Sequence, residues 1–342
     1  MMMTVLILAG FVLLFIGGEA LVRGSVGIAR KAGMSELVIG LTLVGFGTSL
    51  PEMVTSLRAL SEGAVGLSIG NVIGSNVANI LLVIGAAAFV RAITTNPAAL
   101  ARDGAFMVAV TALFAVIVWI DGFTRNTGIA FTVLLVAYLV VSVVLDRRAN
   151  SAAGGMHGEE AEEFEADDPV WLSIVMTLAG IAAVIAGARF LVDGGSDAAR
   201  LLGVSETVIG ISIVAIGTSL PELVTSIVAA RKGKADVALG NVLGSNVFNI
   251  LGILGVSAIV YPFSLVDTSA VGVPIEVAAM QFGQAASMVT WTDMGALFLS
   301  VFLLFVFAFT GRKLARWEGG VLLFAYLLYI GMRFDLVPTF GG

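Results

Sequence analysis

Two glutamates, Glu52 and Glu222, stand inside long apolar stretches and each closes the same six residues, GTSLPE. An ionised carboxylate at the centre of a hydrophobic span costs about 3 kcal/mol or more, so such residues mark ion paths or packed polar contacts. No Lys or Arg lies within either motif. The recurrence of Glu in both copies favours a cation path over a neutral packing role. Thr48 and Thr218 precede the glutamates by four residues, a spacing that sets hydroxyl and carboxylate on one face of a continuous helix. Ser49 and Ser219 add hydroxyls beside them. Pro51 and Pro221 lack an N–H and disrupt the helix, which frees the carbonyls of Gly47-Thr48 and Gly217-Thr218. Hard cations such as calcium and sodium take oxygen ligands of this kind.

A second motif, GNVxGSNVxNI, also occurs twice. It places Ser75 four residues before Asn79 and Ser245 four residues before Asn249, adding neutral oxygens. Gly70, Gly74, Gly240 and Gly244 fit a small-residue packing seam. Asn71, Asn76, Asn241 and Asn246 fit either helix-to-helix hydrogen bonding or ligation.

The elements that must hold these residues are membrane helices. Of 342 residues, 58% are hydrophobic and 12% charged, at a mean hydropathy of +1.04. Apolar stretches long enough to cross roughly 30 Å of hydrocarbon as helices follow one another along the chain. They predict about ten spans: 4–22, 37–59, 65–90, 104–120, 127–145, 172–192, 207–229, 235–262, 294–310 and 317–333. Helices satisfy their own backbone groups in lipid, so the expected fold is all-α. There is no cysteine, hence no disulfide or thiolate metal site. The first stretch lacks a basic leader and a small-residue cleavage site, and reads as a retained helix.

The chain repeats itself at an offset of 170: VIGLTLVGFGTSLPEMVTS from Val38 aligns with VIGISIVAIGTSLPELVTS from Val208, and GNVIGSNVANIL from Gly70 with GNVLGSNVFNIL from Gly240. VLLVAYL at Val133 returns as VLLFAYL at Val321, an offset of 188, so about 18 residues are inserted within 263–293. The expected organisation is an N-terminal five-helix repeat (1–145), an acidic cytoplasmic linker (146–170) and a C-terminal five-helix repeat (171–342). Five spans per half invert the second copy, an arrangement that places an ion site at mid-bilayer between the repeats.

The linker carries Glu159, Glu160, Glu162, Glu163, Glu165, Asp167, Asp168 and the sole histidine, His157. It reads as a solvated acidic tether. Residues 263–293 read as an external segment. With the N-terminus outside, the cytoplasmic loops hold thirteen of the 18 Lys and Arg residues, leaving Arg58, Arg125, Arg189, Arg200 and Arg333 outside. That bias predicts both termini outside and the central loop inside.

With GTSLPE and GNVxGSNVxNI each present twice in a five-plus-five array, the chain resembles the cation/calcium exchanger superfamily, in particular its prokaryotic sodium/calcium exchanger branch. The resemblance implies a secondary active antiporter of a prokaryotic cell membrane, exchanging calcium for sodium by alternating access, with no cofactor and no enzymatic activity. It implies calcium ligands Glu52 and Glu222 with the carbonyls of Thr48 and Thr218. Sodium would be held by Gly45 carbonyl, Thr48, Ser75 and Glu52 on one side, and by Ala215 carbonyl, Thr218, Ser245 and Glu222 on the other. Members often carry Asp where this chain has Asn79 or Asn249, an Asp associated with potassium co-transport; Asn249 argues against potassium dependence. Proton-coupled members typically show a third-span Glu, and here Ala78-Asn79 and Phe248-Asn249 occupy that neighbourhood. A cation channel fits the inverted repeat less well. Hydrolysis by an intramembrane serine lacks a His or Lys base in the spans.

Overall fold

The computed structural model describes residues 2–94, 100–120, 122–153, 169–202, 215–265, 291–310 and 312–333. Almost all are helical. In chain order the helices are α1 (Met2–Ala32), α2 (Glu36–Ile39), α3 (Gly45–Thr48), α4 (Leu50–Ser61), α5 (Val65–Ala78), α6 (Gly85–Val90), α7 (Ala105–Trp119) and α8 (Arg125–Ala153). The second half supplies α9 (Val170–Leu201), α10 (Ala215–Thr218), α11 (Leu220–Arg231), α12 (Ala235–Val247), α13 (Leu254–Val260), α14 (Trp291–Thr310) and α15 (Arg316–Arg333). Wider π-helical turns join several of these: Gly40–Val44, Asn79–Ile84, Leu100–Gly104 and Phe248–Ile253.

Among the described residues seven helices are long and apolar enough to cross a membrane, and eight if the broken pair Glu36–Thr48 and Leu50–Ser61 is one span. They lie on seven of the ten predicted stretches, with the broken pair on an eighth. The predicted 317–333 is the helix Arg316–Arg333, and the predicted 207–229 falls partly outside the described residues. Helix ends run further than hydropathy indicated. α1 continues to Ala32, α8 to Ala153 and α9 to Leu201, because polar residues such as Arg23, Arg30, Asp193 and Arg200 end the apolar pattern without ending the helix. The linker expected from residue 146 therefore starts as helix. Its acidic run, His157 and most of 263–293 lie outside the described residues. One element not expected in an all-α chain is a two-residue antiparallel ladder, β1 (Ile93–Thr94) against β2 (Lys313–Leu314).

By packing, the chain groups into two compact units, each drawing on both sequence repeats. Unit 1 comprises residues 1–49 and 136–245. Its long axis is α1 laid antiparallel along α9. A Cβ added at Gly180 would lie 2.5 Å from Leu21 N, and one at Gly17 2.9 Å from Val184 N, so the backbones meet at contact distance. The opposite faces of both helices present Val5, Leu8, Phe11, Phe15, Trp171, Val175 and Leu178 outward, the apolar surface a lipid environment requires. A second glycine seam joins α2–α3 to α12: a Cβ at Gly240 would meet Leu37 O, one at Gly244 would meet Leu41 O, and one at Gly40 would meet Val237 O at 2.7 Å. The seam role read for Gly240 and Gly244 is thus observed, whereas a Cβ added at Gly70 or Gly74 would meet nothing within 4 Å among the described residues, so the seam reading does not hold for those two. Ser35 caps α2 by accepting from Val38 N, and its own N–H donates to Asp146 Oδ2 at 2.7 Å. Lys234 pairs with Glu36 at 2.7 Å and Lys232 with Glu19.

Unit 2 comprises residues 50–135 and 246–342. α4 packs on α5, and α6 crosses α15 where a Cβ at Gly319 would lie 2.6 Å from Gly85 O. Gly128 of α8 meets Gly255 of α13 in the same manner. Phe123 stacks on Phe263 at 4.6 Å between ring centroids. Arg316 Nε donates to Phe89 O, holding the end of α6 beside the short ladder.

Candidate functional site

Both GTSLPE copies break their helix, and the break falls at the serine, two residues ahead of the proline. Ser49 (φ −86°, ψ 7°) separates α3 from α4, and Ser219 (φ −89°, ψ 3°) separates α10 from α11. Pro221 then sits in the first turn of α11, where a missing N–H costs nothing because first-turn donors have no intrahelical partner. This corrects the same-face argument for Thr48 with Glu52 and Thr218 with Glu222, which assumed an unbroken helix. Each pair flanks a break, and each glutamate occupies the first turn of a new helix.

Unit 1 gathers Gly45, Thr48, Ser49, Glu222 and Ser245. Thr48, Ser49, Glu222 and Ser245 are all at most 0% exposed. Ser49 Oγ, from the first repeat, donates to Glu222 Oε1, from the second, at 2.9 Å. Glu222 Oε2 meets no hydrogen-bond donor among the described residues, and no Lys or Arg among them pairs with this carboxylate. Ser245 Oγ donates to Gly45 O at 3.2 Å. Thr48 Oγ1 lies 3.1 Å from Val44 O and 3.1 Å from Asn241 Oδ1. Ser219 is buried, Thr218 is half-buried at the end of α10, and Ala215 opens that helix. A carboxylate desolvated to this degree, with neutral donors and no Lys or Arg beside it among the described residues, is short of compensating charge.

Unit 2 gathers Glu52, Ser75, Asn79 and Asn249, all buried. The asparagines close a neutral cluster across the repeats: Asn79 Nδ2 donates to Asn246 Oδ1 at 3.3 Å, and Asn249 Nδ2 to Asn76 Oδ1 at 3.1 Å. Asn246 Nδ2 reaches Met107 Sδ at 3.6 Å. Asn79 Oδ1 and Asn249 Oδ1 have no donor among the described residues, leaving two carboxamide oxygens for a ligand. Both asparagines sit at the start of a π turn, Asn79–Ile84 and Phe248–Ile253, a distortion common at functional sites.

Sequence reading left Asn76 and Asn246 undecided, and they are the partners that orient Asn249 and Asn79. It missed Ser56 and Ser226, both 0% exposed, each bonded to an asparagine of the second motif. Their recurrence at the 170 offset was the available signal. Among the described residues no group of three or more Asp, Glu or His comes together, so any cation held here is bound mainly by neutral oxygens and few carboxylates.

The sodium/calcium exchanger protein family matches residues 2–144 and 172–334, one segment per repeat. Sodium/calcium exchanger MaX1 of Methanosarcina acetivorans is 34% identical, with 96% of this chain and 97% of that protein covered. Inner membrane protein YrbG of Escherichia coli is 35% identical over 76% of this chain and 80% of its own length. A solved structure of the sodium-calcium exchanger NCX_Mj, soaked with 10 mM Na+ and 10 mM Sr2+, superposes with a TM-score of 0.77 at 33% identity, covering 96% of this chain and 98% of that one. The chain is an integral membrane ion antiporter and belongs to the sodium/calcium exchanger family.

Proposed function

We propose that the protein exchanges calcium for sodium by alternating access, with ions bound at mid-bilayer between the two repeats. The observation that carries this reading is the Glu222 carboxylate: fully buried, given a hydroxyl donor by Ser49, with an open oxygen and no Lys or Arg among the described residues paired with it. Burying such a charge uncompensated is costly, so the site calls for a cation from outside. Glu52 is its counterpart in the first repeat. The proposed ligand set is Glu52 and Glu222 with Thr48, Ser49, Thr218, Ser219, Ser75, Ser245, Asn79, Asn249 and the carbonyls of Gly45 and Ala215.

One calcium or a set of sodium ions offsets the same two charges. Occupancy is then mutually exclusive, and a conformational exchange that requires an occupied site becomes obligatory counter-transport. The five-helix repeats 1–145 and 171–342 supply one glutamate each, joined through the cytoplasmic linker 146–170, with both termini outside as the Lys/Arg bias indicates.

Purified protein in liposomes tests the reading. Calcium uptake driven by an outward sodium gradient is expected. A pH gradient without sodium is expected to drive little, because neither third-span motif carries a glutamate. Robust proton-driven uptake in sodium-free vesicles would assign protons as the counter-ion, and calcium flux down its gradient without any counter-ion would indicate a channel.

A further inference from the structure

We propose that Asn71 and Asn241 are positioning residues for Glu52 and Glu222, each reaching from the neighbouring helix to hold its glutamate by the backbone. The inference rests on the reading of the two glutamates as cation ligands. Asn71 Nδ2 on α5 donates to Glu52 O at 3.1 Å and to Ser56 Oγ at 2.9 Å. Asn241 Nδ2 on α12 donates to Glu222 O at 3.4 Å and to Ser226 Oγ at 3.0 Å. A carbonyl oxygen only accepts, so the carboxamide must turn its nitrogen to the glutamate, and this orients the whole side chain.

The orientation decides what the oxygen does. Asn241 Oδ1 lies 3.1 Å from Thr48 Oγ1, a protein hydroxyl that engages one of its lone pairs. Asn241 thereby ties Thr48 of the first repeat to the backbone of Glu222 of the second, inside unit 1. Asn71 repeats the glutamate-serine grip in unit 2. The same bonds formed twice, in two units and from residues 170 apart, are not an accident of one packing site.

The break in each GTSLPE copy explains why such a grip is needed. α4 and α11 begin at Leu50 and Leu220, so Glu52 and Glu222 lie in a first turn that no preceding helical turn stiffens. A donor from α5 or α12 to the glutamate carbonyl fixes where the Cα sits and, through it, where the carboxylate is aimed. Partners one bond removed from a metal ligand typically change metal affinity by 10–100-fold when removed.

The test is equilibrium calcium binding together with maximal sodium-driven flux, on wild type, Asn71→Ala, Asn241→Ala, Thr48→Val and the Thr48→Val/Asn241→Ala double variant, each verified as monodisperse by size exclusion. Each Asn→Ala change is expected to raise half-saturating calcium by roughly tenfold, while maximal flux stays within about threefold of wild type, since a positioning loss falls first on ground-state binding. In the Thr48→Val background, Asn241→Ala should still raise half-saturating calcium several-fold, because the bond from Asn241 Nδ2 to Glu222 O does not pass through Thr48. Asn241→Ser, which retains a donor in a smaller side chain, provides the same affinity readout if the alanine variant does not fold. Calcium affinities within twofold of wild type for the Asn variants, or an Asn241→Ala change that adds nothing in the Thr48→Val background, would overturn the proposal. Failure of wild type itself to bind calcium would instead overturn the reading of the glutamates.

Discussion

The Glu222 region of unit 1 and the asparagine cluster of unit 2 answer the same problem, a polar group buried among helices, in opposite ways. Glu222 as a carboxylate only accepts hydrogen bonds, and with Ser49 as donor to one oxygen it keeps an open oxygen that no donor among the described residues satisfies. Asn76, Asn79, Asn246 and Asn249 each carry donor and acceptor, so they pair with one another and remain neutral, while Asn79 Oδ1, Asn249 Oδ1 and Asn76 Nδ2 stay without a partner among the described residues. The first arrangement leaves a buried charge without a counter-charge, while the second leaves only neutral groups half satisfied, which costs less when the site is empty. Affinity for the ion should therefore depend on the glutamates, and the asparagines should set how many charges travel with it.

The largest expected effect follows directly. Glu222→Gln and Glu52→Gln are isosteric and keep a side chain able to hydrogen-bond, yet each removes a charge the divalent ion needs. Each should abolish sodium-driven calcium uptake while folded protein still reaches the membrane. Near-normal exchange by either variant would show that the comparison has been drawn on the wrong residue.

How much of this contrast could be read from the letters differs between its two sides. Glu52 and Glu222, the hydroxyls around them and the 170-residue repeat are visible because a charge in an apolar span and a duplicated motif are both improbable by chance. The helix break was also expected, but at Pro51 and Pro221; it falls at Ser49 and Ser219, since proline is tolerated in a first turn and the chain starts its new helix just ahead of it. The grouping into units that each mix both repeats had no local signal, because pairing between helices far apart in sequence is decided by packing. The same holds for Asn71 and Asn241, whose partners lie 19 residues back, and for the ladder between Ile93–Thr94 and Lys313–Leu314.

A smaller effect separates two roles for Ser49. Its hydroxyl can keep its proton on Glu222 Oε1 and still present lone pairs to the same cation. If it does both, Ser49→Ala loses a ligand oxygen and a fixed carboxylate together, and half-saturating calcium should rise about tenfold, the size of one charge-assisted hydrogen bond. If the hydroxyl served only to stabilise the empty carboxylate, removing it would make calcium bind more tightly. The sign of the change in an equilibrium binding measurement decides between them.

The subtlest effect lies on the asparagine side and concerns voltage. With two ionised glutamates, one calcium leaves the loaded site neutral, whereas an exchange for three sodium ions would leave it at +1. Membrane potential should then act on the sodium-carrying step and spare the calcium-carrying one, at about 2.3 kcal/mol per unit charge per 100 mV. Asn249→Asp adds one negative charge to the cluster without changing how many ions are exchanged. The calcium-loaded site becomes −1 and the sodium-loaded site neutral, so voltage dependence should transfer to the calcium-carrying step. The reversal potential should stay where it was, because it is fixed by stoichiometry and not by the charge of the protein. Potassium should be unnecessary for the wild-type protein, since its neutral Asn249 leaves no third negative charge to balance. Calcium flux in vesicles clamped with an ionophore, with sodium or calcium saturating in turn and with or without potassium, separates the two steps. Net calcium flux whose direction and rate ignore the clamped potential would mean two sodium ions per calcium, and voltage dependence that stays on the sodium step in Asn249→Asp would place Asn249 outside the field of the bound ions.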